Sequence, residues 1–191
     1  GQLYKDLRHG GKKYNKRSGV NAGRGCIPGR IDIDQRPDIV EKKTRVGDWE
    51  LDTIIGKGHK GAIVSMVDRA SKLTKLAICK SKEAAPVTDA LTRCLKPIAS
   101  FVLTLTSDNG KEFAKHAKVS RKLKADFYFA KPYHSWERCL NEHTNGLVRQ
   151  YFPKGTSFDT ISNEDVARVE NLLNNRPRKI LNFKTPIEAF N

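Results

Sequence analysis

Three carboxylates in this sequence lie in segments where an acidic side chain can do chemistry. Asp52 falls inside a strand-like alternating segment, Asp108 follows the apolar run 101–106, and Glu142 lies within a long helical pattern. A carboxylate inside a strand is costly to bury unless a cation or a hydrogen bond compensates its charge. A carboxylate at the carboxyl end of a parallel strand lies where open α/β sheets place their ligand sites. We therefore treat these three acids as candidates for one functional site.

Acids gathered in this way are suited to metal-dependent phosphoryl transfer. Mg²⁺ is a hard ion that is usually held by one or two carboxylates together with phosphate oxygens of the substrate. Two such ions about 4 Å apart can clamp the attacking and leaving oxygens of the reaction. The sequence contains no Walker-type phosphate loop and no GxGxxG or GxSxG motif, which leaves no competing catalytic motif. The five histidines lack zinc-site spacing.

The helical segment around Glu142 has two faces when residues are placed at about 100° each. The stripe expected to face the core contains Leu140, His143, Leu147 and Tyr151. The polar face contains Glu142 with Arg138, Asn145 and Arg149. Two interpretations stay open: the arginines contact phosphate or brace Glu142, or the face is solvated and carries ordinary Glu–Arg pairs. We expect His143 to be a packed residue and not a ligand.

The surrounding pattern predicts the elements that would position these acids. Strands are expected at 49–55, 62–67, 73–79, 101–106 and 125–130, and helices at 83–95, 113–123, 135–151 and 163–175. This order predicts an α/β fold with a mixed five-stranded sheet, one half antiparallel and the other half parallel, flanked by helices.

Composition narrows the class of protein. The chain has 191 residues, a net charge of +15, 38% hydrophobic residues and 30% charged residues. No apolar run approaches the roughly 18 residues of a membrane-spanning helix. The four cysteines form no CxxC pair, so we expect a reducing, cytoplasmic location, nucleoid-associated if the partner is DNA. The positive surplus favours a polyanionic partner, most simply nucleic acid, and no membrane.

Charge and composition also divide the chain. Residues 1–30 hold eight Lys and Arg but one acid, together with seven glycines. We predict a basic flexible arm or linker over residues 1–45 and a catalytic core over residues 46–191. The arm either lies along phosphates or is a solvated linker without a partner.

Three segments, WELD at 49–52, TSDNGKEF at 106–113 and NEHTNGL at 141–147, resemble the retroviral-integrase-like core of DDE transposases. Asp52 and Asp108 are separated by 55 residues, and Asp108 and Glu142 by 33, which suits that family. The similarity is greatest to bacterial transposases of the "insertion sequence thirty" family, whose pattern also resembles RQYFPKG at 149–155 and NNRPRK at 174–179. Departures are Leu51 and Cys139, where the family often has Gly, and His143, where it often has Asn; these affect local packing more than chemistry.

The resemblance implies a ribonuclease H-like fold in which Asp52, Asp108 and Glu142 are the catalytic residues and the ligands of Mg²⁺ or Mn²⁺. It also implies cleavage of DNA at transposon ends by water, and then attack of the freed 3′-hydroxyl on target DNA. Joining two ends implies a homo-oligomer, at least a dimer on DNA. An upstream helix-turn-helix region is typical of the family, so we expect this chain to be a catalytic fragment. Candidate DNA contacts are Arg138, Asn145, Arg149, Lys111 and Lys154.

Two other functions remain possible at this point. A nuclease of the same fold would cut DNA without joining it. A DNA-binding protein without catalytic activity would bind in a strongly salt-dependent way and would cause no covalent change.

Overall fold

The computed structural model describes Gln2, residues 27–131 and residues 139–191, and its centre is a five-stranded mixed sheet. The strands are β1 (Asp48–Ile55), β2 (Ala62–Asp68), β3 (Thr74–Cys79), β4 (Thr104–Ser107) and β5 (Asp126–Phe129). Their order in the sheet is β3-β2-β1-β4-β5. The pairs β1–β2 and β2–β3 are antiparallel, and the pairs β1–β4 and β4–β5 are parallel. The predicted α/β fold is confirmed.

Helices cover both faces of this sheet. They are α1 (Ile39–Lys42), α2 (Ala84–Leu95), α3 (His116–Leu123), α4 (Cys139–Tyr151), α5 (Asn163–Asn174) and α6 (Pro186–Phe190). Helices α2 and α3 pack over a core that contains Trp49 and Leu51, the residues of β1 that face one side. Helices α4 and α5 pack over the opposite face, where Ile54 of β1 and Val148 of α4 belong to a second core. Residues of β1 thus alternate between two buried faces, as their period of two requires.

The fourth strand is shorter than the predicted segment 101–106. A 3-10 turn, Lys96–Phe101, continues directly from α2 and delays the strand to Thr104. The carbonyl of Phe101 accepts a hydrogen bond from the indole N–H of Trp49 at 3.0 Å, which gives the turn a fixed position against β1. Similarly, the 3-10 turn Lys111–Phe113 moves the start of α3 from the predicted residue 113 to His116.

The predicted boundary between arm and core is wrong over residues 27–45. Ile27 and Val40 are buried, and Ile27 belongs to the core under α2 and α3. The carbonyl of Ile31 accepts the N–H of Phe129 at 2.9 Å, so this segment extends the edge of the sheet beside β5. Residues 27–45 are therefore part of the folded core. The predicted flexible arm also includes residue 1 and residues 3–26, which lie outside the described residues.

Buried ionic contacts fasten α1 to the sheet. The guanidinium of Arg69 is buried and donates to the carboxylate of Glu50 at 2.6 Å, to that of Glu41 at 2.9 Å and to the carbonyl of Val40 at 3.2 Å. Arg36, also buried, contacts Glu41. Burial raises the pKa of Glu50, and the charge of Arg69 opposes that rise. An arginine suits this position because its planar fork serves several acceptors at once.

None of the helices in the described part of the chain has the length and apolar composition that crossing a membrane requires.

Replacing Arg69 tests the contribution of this ionic contact to stability. We expect Arg69→Met to lower the free energy of unfolding by about 3–5 kcal/mol, because the Glu50 carboxylate stays buried without its cation. Urea denaturation followed by tryptophan fluorescence measures the loss. The control is Lys75→Met, which removes the cation of a partly exposed pair with Glu170 and should cost about 0–1 kcal/mol. Equal losses for the two variants would contradict the expectation.

Candidate active site

Strand β1 carries three acids at alternate positions, so all three project from the face that α4 and α5 cover. Asp48 is buried and accepts hydrogen bonds from Arg45 at 2.8 and 3.0 Å and from the Thr104 hydroxyl at 2.8 Å. Glu50 is buried against Arg69. Asp52 is half-buried and lies nearest the carboxyl end of the strand. The first two acids are thus compensated within the fold, and the third lies at the more open end.

Parallel pairing of β1 with β4 brings Asp108 toward Asp52. The register pairs Asp48 with Thr104 and Glu50 with Thr106, and β4 ends at Ser107. The same register, if extended two residues, would put Asp52 level with Asp108. Both acids share the parity of Thr104, whose side chain contacts Asp48 on the α4 face. Because adjacent strands lie about 4.8 Å apart, carboxylates level on one face are close neighbours.

The loop that carries Asp108 is held by its own side chains. The carboxylate of Asp108 accepts the backbone N–H of Gly110 at 2.9 Å, which closes a turn typical of Asp-Asn-Gly sequences. The amide of Asn109 donates to the carbonyl of Ala130 at 2.6 Å and also contacts the guanidinium of Arg30. The loop is therefore joined to the end of β5 and to the segment that precedes α1.

Glu112 is a buried acid near this loop that the sequence pattern did not single out. Its carboxylate accepts a hydrogen bond from the Thr53 hydroxyl at 2.9 Å and pairs with the Lys82 ammonium at 2.9 Å. Thr53 follows Asp52, so Glu112 links the Asp108 loop to the candidate acid of β1. A Cβ atom on Gly110 would collide with this carboxylate, so glycine is needed there. The sequence feature that could have identified Glu112 is its position in TSDNGKEF, four residues after Asp108.

Helix α4 lies along β1 through polar contacts. The backbone N–H of Asn141 approaches the Glu50 carboxylate at 3.3 Å. The amide of Asn145 donates to Asp52 at 2.8 Å, and its carbonyl accepts the Ser65 hydroxyl at 2.8 Å. One turn later, Arg149 donates to the carbonyl of Ile55 at 2.7 Å. Successive turns of α4 therefore contact successive positions along β1.

The predicted core face of α4 is wrong. The buried residues of this helix are Asn141, Thr144 and Val148, while Leu140 and Leu147 are half-buried and His143 and Tyr151 are exposed. The physical reason is the polar surface of β1: the backbone N–H of Asn141 and the side-chain amide of Asn145 face its acids, where larger apolar side chains were expected. His143 is accordingly not packed in the core.

Two of the predicted DNA contacts have partners inside the protein. Asn145 hydrogen-bonds with Asp52 and Ser65, and Arg149 donates to backbone carbonyls and lies over the ring of Phe158. Their assignment as DNA contacts stays a prediction. Burial lowers the pKa of Arg149. Lys111 and Lys154 are exposed, and their assignment stays a prediction. Arg138 lies outside the described residues.

Glu142 is exposed and lies one helical turn before Asn145, about 60° around the helix from it. In the described ranges 27–131 and 139–191, no three His, Cys, Asp or Glu side chains form a group arranged to hold a metal ion. The assignment of all three acids as ligands therefore stays a prediction. Asp52 and Asp108, which carry hard carboxylate oxygens, suit a hard divalent cation that takes further ligands from phosphate.

The two cysteine side chains that the structure describes are poorly suited to act as nucleophiles. Cys79 and Cys94 are free thiols, and burial raises the pKa of Cys79 to about 11 and also raises that of Cys94. Both thiols are protonated near neutral pH, and a protonated thiol is a poor nucleophile.

Relatives of known name cover nearly the whole chain, although no family model matches it. A transposase for insertion sequence element IS4351 from Bacteroides fragilis is 54% identical over 190 residues. A transposase for IS1086 from Cupriavidus metallidurans is 37% identical over 189, and the transposase InsI for IS30A from Escherichia coli K12 is 36% identical over 185. The alignments cover 100%, 98% and 95% of this chain. They cover 58%, 56% and 47% of the relatives, so the chain spans about half the length of the curated relatives it matches.

A solved structure supports the fold assignment. The chain superposes on a chain of the simian T-cell lymphotropic virus intasome in complex with PP2A regulatory subunit B56 gamma with a TM-score of 0.62. The identity is 17%, and the match covers 76% of this chain and 54% of the other. This similarity concerns the fold, and it confirms the predicted ribonuclease H-like arrangement.

A charge introduced at Asn145 tests its contact with Asp52. In Asn145→Asp two carboxylates face each other, which raises the pKa of the pair in the folded state. A carboxyl group with a raised folded pKa contributes stability below its unfolded pKa of about 4 and loses it as pH rises. We therefore expect a deficit in unfolding free energy of about 1–3 kcal/mol at pH 7 that shrinks toward pH 4.

Urea denaturation across this pH range measures the deficit. Gln150→Glu, an exposed change on the same helix, is the control and should show no comparable pH dependence. A deficit for Asn145→Asp that is constant with pH would contradict the contact.

Proposed function

The chain is homologous to insertion-sequence transposases, as its motifs predicted, and on this premise we propose that it is the catalytic core of a DDE-type DNA transposase. The proposed reaction cleaves phosphodiesters at transposon ends and joins the freed strands to target DNA. The observation that supports the proposal is the parallel β1–β4 register, which pairs Glu50 with Thr106 two residues before Asp52 and Asp108 and lies on the face that α4 covers.

The proposed ligands of Mg²⁺ or Mn²⁺ are Asp52, Asp108 and Glu142. When bound, such ions activate the attacking oxygen and neutralise charge on the leaving oxygen. Phosphoryl transfer otherwise needs mainly positioning and electrostatic stabilisation from the protein. Asn145 supplies positioning for Asp52 through its amide, and Glu112 does so for the Asp108 loop through Thr53 and Lys82.

The partner in this proposal is DNA, both transposon ends and target, and a net charge of +15 suits a polyanion. Two DNA ends must meet before they can be joined to one target, so we propose at least a dimer on DNA. The structural neighbour is described as an intasome in complex with PP2A regulatory subunit B56 gamma. A cytoplasmic, nucleoid-associated location follows from a DNA substrate in a bacterial cell and is part of the same proposal.

Two alternatives are separated from the proposal by their products. A nuclease of this fold would leave nicked DNA and no joined strands, even with metal present. A DNA-binding protein without catalytic activity would leave DNA covalently unchanged with or without metal, and salt would abolish its binding steeply.

Neutral replacements of the acids test the proposed chemistry. In Asp108→Asn and in Glu142→Gln we expect strand cleavage and joining to fall by about 10²–10³-fold or more, because each change removes negative charge that would hold the cation. Gel analysis of plasmid DNA incubated with the protein and Mg²⁺ or Mn²⁺ measures both products.

The control for this experiment is Glu164→Gln, which neutralises an exposed acid in the first turn of α5 and should leave activity unchanged. Unfolding curves for each variant establish that the fold is intact. Full activity in either Asp108→Asn or Glu142→Gln would disprove the assignment of that residue.

A further inference from the structure

A cavity of about 400 Å³ lies beside α4, away from Asp52. It is lined by Lys43, Lys72, Leu140, His143, Thr144, Arg178 and Ile180. Three of the lining side chains are cationic, and among the described residues the lining contains no acid. A cavity with this lining suits an anion that also presents some apolar surface.

Arg178 has unused hydrogen-bonding capacity in this cavity. One terminal nitrogen of its guanidinium donates to the carbonyl of Leu173 at 3.1 Å, which holds the side chain in place. Its Nε is buried and has no hydrogen-bond acceptor among the described residues. Burial, together with the charge of Arg176, lowers the pKa of Arg178. A buried donor without an acceptor is costly, and an anion in the cavity would stabilise the charge of this guanidinium.

The two lysines add to the positive potential. Burial and the charge of Lys43 both lower the pKa of Lys72, so the cations repel one another. Asp68 and Glu50 attract Lys72, but each has other partners: Asp68 accepts from Gly47 and Ser71, and Glu50 pairs with Arg69.

The side chain of Lys43 extends from an exposed residue and has no ion-pair partner in the part of the chain that the structure describes. With Lys72 and Arg178 it forms a cationic group that the fold does not neutralise fully.

The apolar part of the cavity is accessible. Ile180 is 75% exposed, and Leu140 is half-buried on the N-terminal turn of α4. His143 projects about 160° away from Asn145 around the helix, so the cavity and the candidate active site flank opposite sides of α4. A helix with its side chains is about 10–12 Å across, which a DNA strand can span.

We propose that this cavity binds the phosphate backbone of the DNA on which the chain acts, on the side of α4 opposite to Asp52. The inference rests on the proposed function. DNA suits the cavity because the cations meet phosphate and the apolar side chains meet sugar. On the Asp52 side of α4 the described cation Arg149 donates to the carbonyl of Ile55, whereas the cavity supplies cations on the other side.

Salt-dependent DNA binding tests the proposal. The probe is a short fluorescein-labelled DNA duplex of random sequence, titrated with the chain by fluorescence anisotropy between about 50 and 200 mM salt. The variants are Lys43→Gln, Arg178→Gln and the double variant. The control is Lys124→Gln, because Lys124, like Lys43, is an exposed residue with a left-handed backbone at the end of a helix, but it follows α3.

Each lost phosphate contact should lower the slope of log affinity against log salt by about 0.9, which is about fivefold in affinity near 0.15 M salt. We expect this loss for each single variant, a larger loss for the double variant, and no change for Lys124→Gln. Unfolding curves identify a variant that fails to fold, and Lys43→Gln, whose side chain has no ion-pair partner among the described residues, then decides alone.

Three results would overturn the inference. Slopes and affinities for Lys43→Gln and the double variant equal to those of Lys124→Gln would do so while leaving the proposed function standing. A change in oligomeric state by sedimentation, with DNA binding unchanged, would assign the cavity to an acidic segment of a second copy. Absence of DNA binding by the unsubstituted chain would remove the proposed function as well.

Discussion

The arrangement of the segments around β1 depends on the free-energy cost of burying the acidic side chains on one face of that strand. Asp48, Glu50 and Asp52 follow one another on one side of the central strand, and burial opposes the charge of each. Arg45 compensates Asp48, and Arg69 compensates Glu50. These partners come from different segments of the fold, so the charges of β1 determine how those segments are arranged.

The same requirement orders the candidate site. Helix α4 satisfies the face of β1 with small polar groups, and its contacts step from Glu50 through Asp52 to Ile55. Glu142 is carried on that helix, whose position along β1 follows from contacts made by neighbouring residues. Asp108 follows β4, which pairs in parallel with β1, and its loop is joined to β1 through Glu112. Supporting contacts of this kind hold functional groups in position before any ligand binds.

Much of this arrangement follows from local sequence patterns. Alternation along β1 and the apolar run before Asp108 predicted the strands, and the mixed sheet followed from their order. The buried face of α4 could not be predicted in the same way, because hydrophobicity places Leu140 and Leu147 inward, whereas in the fold Asp52 accepts from the Asn145 amide and Glu50 from the backbone N–H of Asn141. Such contacts exist only once strand and helix meet.

Segment 27–45 is a second case in which contacts between residues distant in sequence, which local patterns do not reveal, determine the structure. It is rich in charged residues and follows a basic, glycine-rich stretch, which is typical of a linker. It folds because Arg36 and Val40 find partners on the sheet: Arg36 donates to Thr106 at 2.9 Å, and the carbonyl of Val40 accepts from Arg69. The role of Glu112 beside the site could not be predicted for a related reason: its partners Thr53 and Lys82 are distant from it in sequence.

Net charge is a poor guide to which cations can meet a polyanion. The arginines at positions 36, 45, 69 and 149 have partners inside the fold, and Arg36 and Arg69 are buried. A guanidinium suits such positions because it donates in several directions and is less strongly hydrated than an ammonium. Part of the surplus of +15 therefore stabilises the acidic face of β1 and is unavailable to a ligand. In the described part of the chain, the cations left for a ligand are mainly lysines at the surface. An arginine is also available to a ligand when, as in Arg178, some of its donors have no acceptor within the fold.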